Sequence, residues 1–358
     1  MRPGRATAAL GLLLVLVAGT FDAEPLYVPG VAFLFLPAAT FVWIALAARG
    51  MRVERRLDAR RVVEEEPLRV VLEVSAGRLP LSTGLVDDPF LGAPVPLAGG
   101  RRAQRVRITA RFGRRGRRPL DAARVVLRDP LGLATRIVTG AETDEVLVLP
   151  RVEPVRAAGG GSQDGRRPRG RPAIAAEVEL DGVREHRPGT PASRIYWPAL
   201  ARGAGLMERR LRAESDSTPL VVLDARGSSE EALDAAVRAC ASLALELARS
   251  GGCSVLVPGD RRATPLDPTL AGWPHLHARL ALVALGGRPA LSGVASRSGL
   301  VVYVAARIPG RAPQALEHAP AAGRVLVVPG EMAGRRPSFV VAGCTGYAVE
   351  PRGARRAA

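Results

Sequence analysis

Asp224 is the residue whose position in this sequence first indicates chemistry. It ends the apolar run LVVLD, and Ser228 follows it within the stretch DARGS. A carboxylate and a hydroxyl that lie close together are oxygen ligands of the kind that Mg²⁺ and Mn²⁺ prefer. Open α/β sheets bind their ligands at the carboxyl ends of the strands, so an aspartate at the end of a strand is a candidate metal ligand.

The stretch DARGS (224–228) also resembles the start of the metal-ion-dependent adhesion site of von Willebrand factor A-type domains, Asp-x-Ser-x-Ser. Asp224 and Ser228 match, whereas Arg226 replaces the middle serine. A guanidinium is no metal ligand and competes with a cation for Asp224, and Ser228 is also explained as a helix N-cap within an S-x-x-E capping box. We therefore expect a contact of Asp224 with Arg226 or with the backbone, and no cofactor. Asp224 and Ser228 remain the candidates for an alternative, metal-dependent ligand-binding module.

Other catalytic patterns are missing from the sequence. It contains no G-x-S-x-G, no P-loop and no H-E-x-x-H, so we assign no catalytic residue and expect no enzyme activity. His275 and His277 in WPHLHARL would face different sides of a helix, which predicts a surface or interface role. Cys240, Cys253 and Cys344 lack metal-ligand spacing and are expected to be buried free thiols.

A second set of candidate residues lies in the stretch REHRPGTPASRIYWPALAR (184–202). Residues 173–217 contain seven Arg and seven Asp or Glu, so carboxylates are available to these arginines. The arginines could clamp an irregular loop around an apolar tryptophan, form a partner interface, or serve nucleic-acid binding or catalysis. The candidates are Arg184, Pro188, Gly189, Arg194, Trp197 and Arg202.

This stretch resembles the signature segment of the domain-of-unknown-function 58 family, whose pattern is roughly L-R-x-Y-x-P-G-D-x-x-R-x-I-x-W-x-x-S-A-R. The sequence departs from it at His186, Thr190 and Leu200. Upstream, VVLRDPLGLATR (125–136) resembles the D-P-x-G-L segment of the same family. The likeness also extends to the order of the segments, and so covers essentially the whole chain.

The resemblance implies a membrane-tethered adaptor or assembly factor. Members of that family are often encoded beside MoxR-type AAA+ ATPases and transglutaminase-like membrane proteins. We therefore expect a MoxR-type AAA+ ATPase and other membrane proteins as partners, docked by a von Willebrand factor A-like domain.

The N-terminus contains two uncharged apolar segments, residues 6–21 and 25–48, separated by a short acidic turn. The second is about long enough to cross a bilayer, and the first is short but compatible with crossing. Arginines precede the first segment and follow the second, so the positive-inside rule predicts a helical hairpin in the cell membrane with the bulk of the chain cytoplasmic. The flanking residues are Arg2, Arg5, Arg49, Arg52, Arg55 and Arg56. A cleaved signal peptide and two buried core helices are the alternatives.

The remaining patterns predict the domain organisation. After two transmembrane helices (1–50) comes an antiparallel β-sandwich-like domain (51–156), where LRVVLEVS and QRVRITARF alternate with period two. Its stretch RFGRRGRRPL is read as an exposed hairpin turn or a contact for lipid headgroups. A flexible Gly/Arg/Pro loop (157–172) and the signature segment (173–217) lead to an α/β, doubly wound von Willebrand factor A-like domain (218–350) and a basic tail (351–358).

The net charge of +17 does not by itself indicate nucleic acid. Every basic residue is an arginine, and the excess is spread along the chain, while aromatic residues make up 4%. A nucleic-acid surface usually combines concentrated charge with stacking aromatics. We therefore expect no nucleic-acid partner and keep such binding as a third hypothesis.

Overall fold

The structure is a computed structural model that describes residues 3–140, 144–158, 183–185, 203, 205, 207–209, 218–290 and 299–350, with the backbone alone for 183–185 and 207–209. The chain forms two compact units. The first comprises Met1–Gly113 and Arg117–Val148, and the second comprises Arg114–Gly116 and Leu149–Ala358. The expected combination of two N-terminal apolar helices, antiparallel sheets and a mixed sheet with helices is present.

The first unit begins with helices α1 (Pro3–Phe21) and α2 (Tyr27–Ala48), joined through a single 3₁₀ turn at Glu24–Leu26. Both helices are long and apolar enough to cross a membrane. Their side chains face outwards for the most part: Leu16 is 57% exposed and Phe35 is 64% exposed. Helices that are apolar on all sides and unburied are typical of membrane spans.

Two glycines allow α1 and α2 to approach each other closely. A Cβ atom added to Gly11 would lie 2.5 Å from the backbone nitrogen of Leu34, and one added to Gly30 would lie 2.9 Å from a methyl group of Val15. Small residues at such crossings are how membrane helices bring their backbones together. The hairpin is therefore a packed pair rather than two independent helices.

The β part of the first unit contains three sheets, ordered β1–β3–β6, β2–β10–β7 and β5–β4–β8–β9. The first and third are antiparallel throughout. The strands are β1 (Arg52–Leu57), β2 (Arg61–Val63), β3 (Leu68–Ser75), β4 (Gly84–Asp87), β5 (Val95–Leu97), β6 (Gln104–Ala110), β7 (Gly116–Leu120), β8 (Arg124–Arg128), β9 (Thr135–Thr139) and β10 (Asp144–Leu149).

Alternation along β3 sets the core of this unit. Val70, Leu72 and Val74 are fully buried while the residues between them are more exposed, as the period-two pattern predicts. Ile44 of α2 joins the same apolar cluster, so the second helix is packed into the β core at its end. Arg55 is buried as well, and its guanidinium donates to Asp88 at 2.6 Å. This buried pair removes Arg55 from the charges available to membrane lipids, whereas Arg49, Arg52 and Arg56 are exposed.

The second unit is built on an eight-stranded mixed sheet with the order β11–β19–β20–β18–β17–β14–β15–β16. The inner strands β15, β14, β17 and β18 are parallel, and antiparallel strands flank them. The strands are β11 (Arg156–Ala157), β14 (Leu220–Asp224), β15 (Cys253–Leu256), β16 (Thr264–Leu266), β17 (Leu300–Ala305), β18 (Gly323–Pro329), β19 (Phe339–Val341) and β20 (Cys344–Ala348); a separate pair is formed by β12 (Val183–Glu185) and β13 (Met207–Arg209).

Helices cover both faces of this sheet. On one face lies α3 (Glu230–Gly251), whose predicted apolar stripe, including Leu233, Val237 and Leu247, is buried, together with α4 (Trp273–Ala281). The other face packs against the short helix α5 (Gln314–Glu317) through Leu316. Residues along β14 alternate between the two cores, so Asp224 lies in register with Leu220 and Val222 on the α5 face.

Candidate functional site

Asp224 lies where the strand order of the sheet reverses. The chain passes from β14 to β15 on one side and later returns to β17 on the other side of β14. Asp224 and Ala305 are register partners at the ends of β14 and β17. A topological switch point of this kind opens a crevice at the carboxyl ends of the strands, and ligands of open α/β folds bind there.

The Asp224 carboxylate is occupied by protein donors. The guanidinium of Arg226 donates from Nε to Oδ1 at 2.9 Å and from Nη2 to Oδ2 at 2.6 Å. The hydroxyl of Tyr303 donates to Oδ2 at 2.7 Å, and the backbone N–H of Arg226 donates to Oδ1 at 3.1 Å. The predicted contact between Asp224 and Arg226 is confirmed. A metal ion bound at Asp224 would compete with Arg226 and Tyr303 for the same two carboxylate oxygens.

These contacts determine the ionisation of the pair. Burial by itself would raise the pKa of Asp224, but hydrogen bonds from Arg226 and Tyr303 outweigh it and hold that pKa below its ordinary value. The same arrangement raises the pKa of Tyr303, first through burial and then through its bond to Asp224. The pKa of Arg226 is raised by its hydrogen bond to Asp224. The site therefore holds a carboxylate, a guanidinium and a neutral phenol at neutral pH.

The N-cap of α3, in the loop after Asp224, differs by one residue from the predicted cap. The N-cap of α3 is Ser229, whose hydroxyl accepts from the N–H of Ala232 at 3.2 Å; Ser228 is exposed and precedes the cap. Gly227 allows the loop to pack closely, since an added Cβ would lie 3.1 Å from the carbonyl oxygen of Ala306. Ser228 is therefore not explained as a cap, and its hydroxyl is outside the Asp224 contacts.

A cleft of about 920 Å³ opens over Asp224. Its described lining contains four arginines and His318, with Asp224 as the single carboxylate. The arginines come from separate segments: Arg226 after β14, Arg288 after α4, Arg307 after β17, and Arg311 before α5. We name this surface the arginine cleft.

The charges in the arginine cleft are only partly neutralised. Arg226 is paired with Asp224, and Arg311 lies 3.3 Å from Glu317. Arg288 and Arg307 are exposed, and neither has an ion pair or hydrogen bond within the described ranges. The cleft is therefore cationic and presents guanidinium donors to whatever enters it.

Sequence reasoning missed Arg288, Arg307, Arg311 and His318. One signal was readable, because Arg226 and Arg307 each stand two residues beyond the last residue of a parallel strand. The signal becomes informative only once β14 and β17 are known to be neighbours. Arg288 and Arg311 have no comparable local pattern.

The signature residues are largely outside what the structure describes. Arg184 lies in β12, where its backbone pairs with that of Glu208 in β13. Pro188, Gly189, Arg194, Trp197 and Arg202 lie outside the described residues, as do most of the flexible loop and the basic tail. The clamp and interface hypotheses for this segment stay predictions.

The basic stretch RFGRRGRRPL is exposed at Arg114 and Arg117, as predicted, but it joins strands of different sheets instead of forming a hairpin, and Arg115 is buried. Arg114 and Arg115 belong to the second unit, and both contact Asp234 on α3, at 2.9 and 3.2 Å. The guanidinium of Arg115 is buried and also donates to the carbonyl oxygen of Val283 at 3.1 Å. These two arginines therefore hold elements together, and a lipid contact is not available to Arg115.

Outside the cleft, the remaining candidates are structural. His277 is buried, stacks on Trp273 with ring centroids 4.6 Å apart, and has Nε2 2.7 Å from the carbonyl oxygen of Pro150, so its predicted surface role is wrong. The three cysteines are free and buried, as predicted, and burial raises their pKa, to about 12 for Cys253 and Cys344. Within the described part of the chain, no group of three His, Cys, Asp or Glu side chains could hold a metal ion.

No protein-family model and no curated protein sequence matches this chain.

Proposed function

We propose that this protein is a non-enzymatic, membrane-anchored scaffold or adaptor of the domain-of-unknown-function 58 type. Its α/β unit would be a von Willebrand factor A-like domain that docks protein partners, among them a MoxR-type AAA+ ATPase. The observation that carries the proposal is the closed state of Asp224. Its carboxylate is engaged by Arg226 and Tyr303, so the crevice of the sheet presents a guanidinium fixed by an ion pair where a free base or nucleophile would be needed for catalysis.

The membrane anchor supports the same proposal. The α1–α2 hairpin is apolar on its outer surface and is packed through Gly11 and Gly30, and Ile44 ties it to the β core. Exposed Arg49, Arg52 and Arg56 follow the hairpin, which by the positive-inside rule supports a cytoplasmic location for the bulk of the chain. A cytoplasmic AAA+ protein could reach a domain held in this way.

The signature segment supplies the sequence argument for the family. Its pattern from Arg184 to Arg202 and the D-P-x-G-L segment around Asp129 occur in the order that the family shows. In the structure Asp129 is buried and accepts from the N–H groups of Leu131 and Ala134, which makes D-P-x-G-L a self-contained turn between β8 and β9. That segment is therefore a structural element in this proposal.

Purification from native membranes tests the proposal. The tagged full-length chain is isolated in mild detergent with ATP and Mg²⁺, and co-purifying proteins are identified by mass spectrometry. We expect an AAA+ ATPase among them, enriched over an unrelated tagged two-helix membrane protein of similar abundance. Recovery of no AAA+ ATPase under these conditions would contradict the docking proposal.

The same experiment separates the two roles of the signature segment. Arg194→Ala and Trp197→Ala are each purified and their unfolding compared with that of the unaltered chain. An interface role predicts loss of the ATPase with unchanged stability, because an interface residue is not needed by the fold. A clamp role predicts that the loss of the ATPase is accompanied by a lowered unfolding temperature.

A further inference from the structure

We propose that the arginine cleft binds an acidic segment of a partner protein, with the segment's carboxylates paired by Arg288 and Arg307. The inference deepens the proposed docking function and rests on it, since it names the chemistry of the docked surface. It is supported by the position of the cleft, by its uncompensated positive charge and by the types of residue that line it.

The position of the cleft makes it a binding site rather than a surface depression. It lies over the paired ends of β14 and β17, at the switch point of the sheet. The loop beneath it is held rigidly: Ala225 donates to the carbonyl oxygen of Gly287 at 3.0 Å and accepts from Gly286 at 2.8 Å. A rigid floor lowers the entropy that a ligand must overcome on binding.

The charge of the cleft selects an anion. The one carboxylate in its described lining, Asp224, is already neutralised by Arg226, while Arg288 and Arg307 remain without a counter-charge among the described residues. Guanidinium groups present a planar fork that matches a carboxylate or a phosphate in two-point contact. Because these two arginines come from different loops, a ligand with more than one acidic group fits better than a single small ion.

The walls favour carboxylates on a peptide over a phosphorylated small molecule. Two of the loop N–H groups that could contribute to an anion-binding nest are used internally: Arg226 donates to Asp224, and Gly227 donates to the carbonyl oxygen of Ala225 at 2.9 Å. Four of the described lining residues are prolines, Pro289, Pro309, Pro313 and Pro320, which have no N–H to offer phosphate.

The same walls do not suit a nucleotide base. The aromatic residue of the described lining, Tyr303, is 2% exposed and its hydroxyl is bonded to Asp224. A base would therefore find no free ring to stack on. The rigid proline surface instead offers apolar contact to the aliphatic side chains that flank acidic residues in a peptide.

Fluorescence anisotropy tests the inference on the full chain in phosphatidylcholine nanodiscs, whose headgroups carry no net charge. The probe is a fluorescein-labelled dodecapeptide of alternating glutamate and alanine, and its comparison is the same peptide with glutamine for glutamate. We expect binding of the glutamate peptide alone, weakened roughly tenfold by either Arg288→Gln or Arg307→Gln through loss of a charge-assisted contact.

Arg249→Gln is the matched control. Arg249 is exposed and lies in the last turn of α3, shortly before β15 begins, and so near the end of the parallel strands opposite to the cleft. Arg249→Gln therefore removes the same charge without touching the cleft. Equal weakening by all three variants would overturn the inference, because it would show attraction to net charge alone. ATP and tripolyphosphate are also tested as competitors of the labelled peptide. If either displaces it at a lower concentration than the unlabelled glutamate peptide does, the inference is overturned in favour of a phosphate ligand.

Repeating the membrane purification with Arg307→Gln distinguishes the two proposals. If the AAA+ ATPase co-purifies with the unaltered chain and with Arg249→Gln but not with Arg307→Gln, both the docking function and the cleft as its site are supported. If it co-purifies with all three proteins, the docking function is retained and the cleft is overturned as its site. Recovery by none overturns the docking function, and the peptide titration then decides whether the cleft binds acidic segments.

Discussion

Arg226 closes over Asp224 from two positions further along the chain, with Nε 2.9 Å from one carboxylate oxygen and Nη2 2.6 Å from the other. Tyr303 from the neighbouring strand completes the contact at 2.7 Å. Asp224 is 2% exposed, so its charge depends on these donors for compensation. The spacing Asp-x-Arg thus turns the end of a buried strand into a fixed ion pair that also forms the floor of the arginine cleft.

Loss of Arg226 should destabilise the second unit. Arg226→Ala leaves the buried Asp224 carboxylate with Tyr303 as its remaining side-chain donor, and we expect a loss of about 2 kcal/mol, below the value for a fully buried pair because the guanidinium is partly exposed. Arg288→Ala, which removes an exposed arginine from the same cleft, should change the free energy of unfolding by less than about 0.5 kcal/mol. Urea unfolding, followed by the reactivity of the three buried cysteines, measures both.

The double variant gives a further check on the same pair. Asp224→Asn with Arg226→Ala removes the uncompensated charge, so it should be less destabilised than the sum of the two single variants. Strict additivity would show that the two side chains contribute independently, contrary to the contact seen here.

Acid should weaken the pair. The folded-state pKa of Asp224 is lowered, whereas the unfolded value is about 3.9, so the stabilisation is fully present above that pH and is lost as the pH falls through the folded pKa. The free energy of unfolding should therefore decline less steeply below about pH 4 in Asp224→Asn than in the unaltered chain. Glu231, which also has a lowered pKa but is exposed, provides the comparison through Glu231→Gln. Parallel curves for the unaltered chain and Asp224→Asn would refute the assignment.

Local patterns predicted much of this fold because they report on neighbours along the chain. The apolar stripe of α3 and the alternation of β3 are set by helical and strand periods, and both appear in the structure. The cap of α3 was misplaced by one residue because the S-x-x-E pattern is met by Ser228 with Glu231, whereas the actual cap, Ser229, is followed at that spacing by Ala232. The short pattern therefore favoured the wrong one of two adjacent serines.

Contacts between distant segments were not predictable in this way. The burial of His277 depends on the carbonyl of Pro150, and the buried state of Arg115 depends on Asp234 and on the end of α4. The arginine cleft needs the order of the strands, since Arg226 and Arg307 become neighbours only when β17 lies beside β14. Sequence alone indicated Asp224 and its contact with Arg226, but not the cationic site around them.

The packing of the N-terminal hairpin should depend on Gly11. In Gly11→Ala the added methyl group meets the backbone of Leu34, which cannot move aside easily, and we expect a loss of about 1–3 kcal/mol from the α1–α2 contact. Gly19→Ala is the matched control, because its methyl group would lie 3.4 Å from the hydroxyl of Tyr27, at an ordinary contact distance. Resistance to SDS-induced unfolding in mild detergent measures the difference. Equal resistance of the two variants would show that the crossing does not rely on Gly11.

Metal binding should depend on the residue between Asp224 and Ser228. In the unaltered chain Arg226 holds both carboxylate oxygens, so titration with Mg²⁺ or Mn²⁺ should release no heat in calorimetry. Arg226→Ser restores the spacing Asp-x-Ser-x-Ser, frees one side of the carboxylate and removes a positive charge, and should bind Mn²⁺ weakly, with a dissociation constant on the order of 1 mM. Arg226→Ala frees the same carboxylate without adding a hydroxyl and should bind more weakly still. Heat of equal size in the unaltered chain and in Arg226→Ser would mean that the guanidinium does not occupy the cation position, and would favour the metal-dependent module over the adaptor.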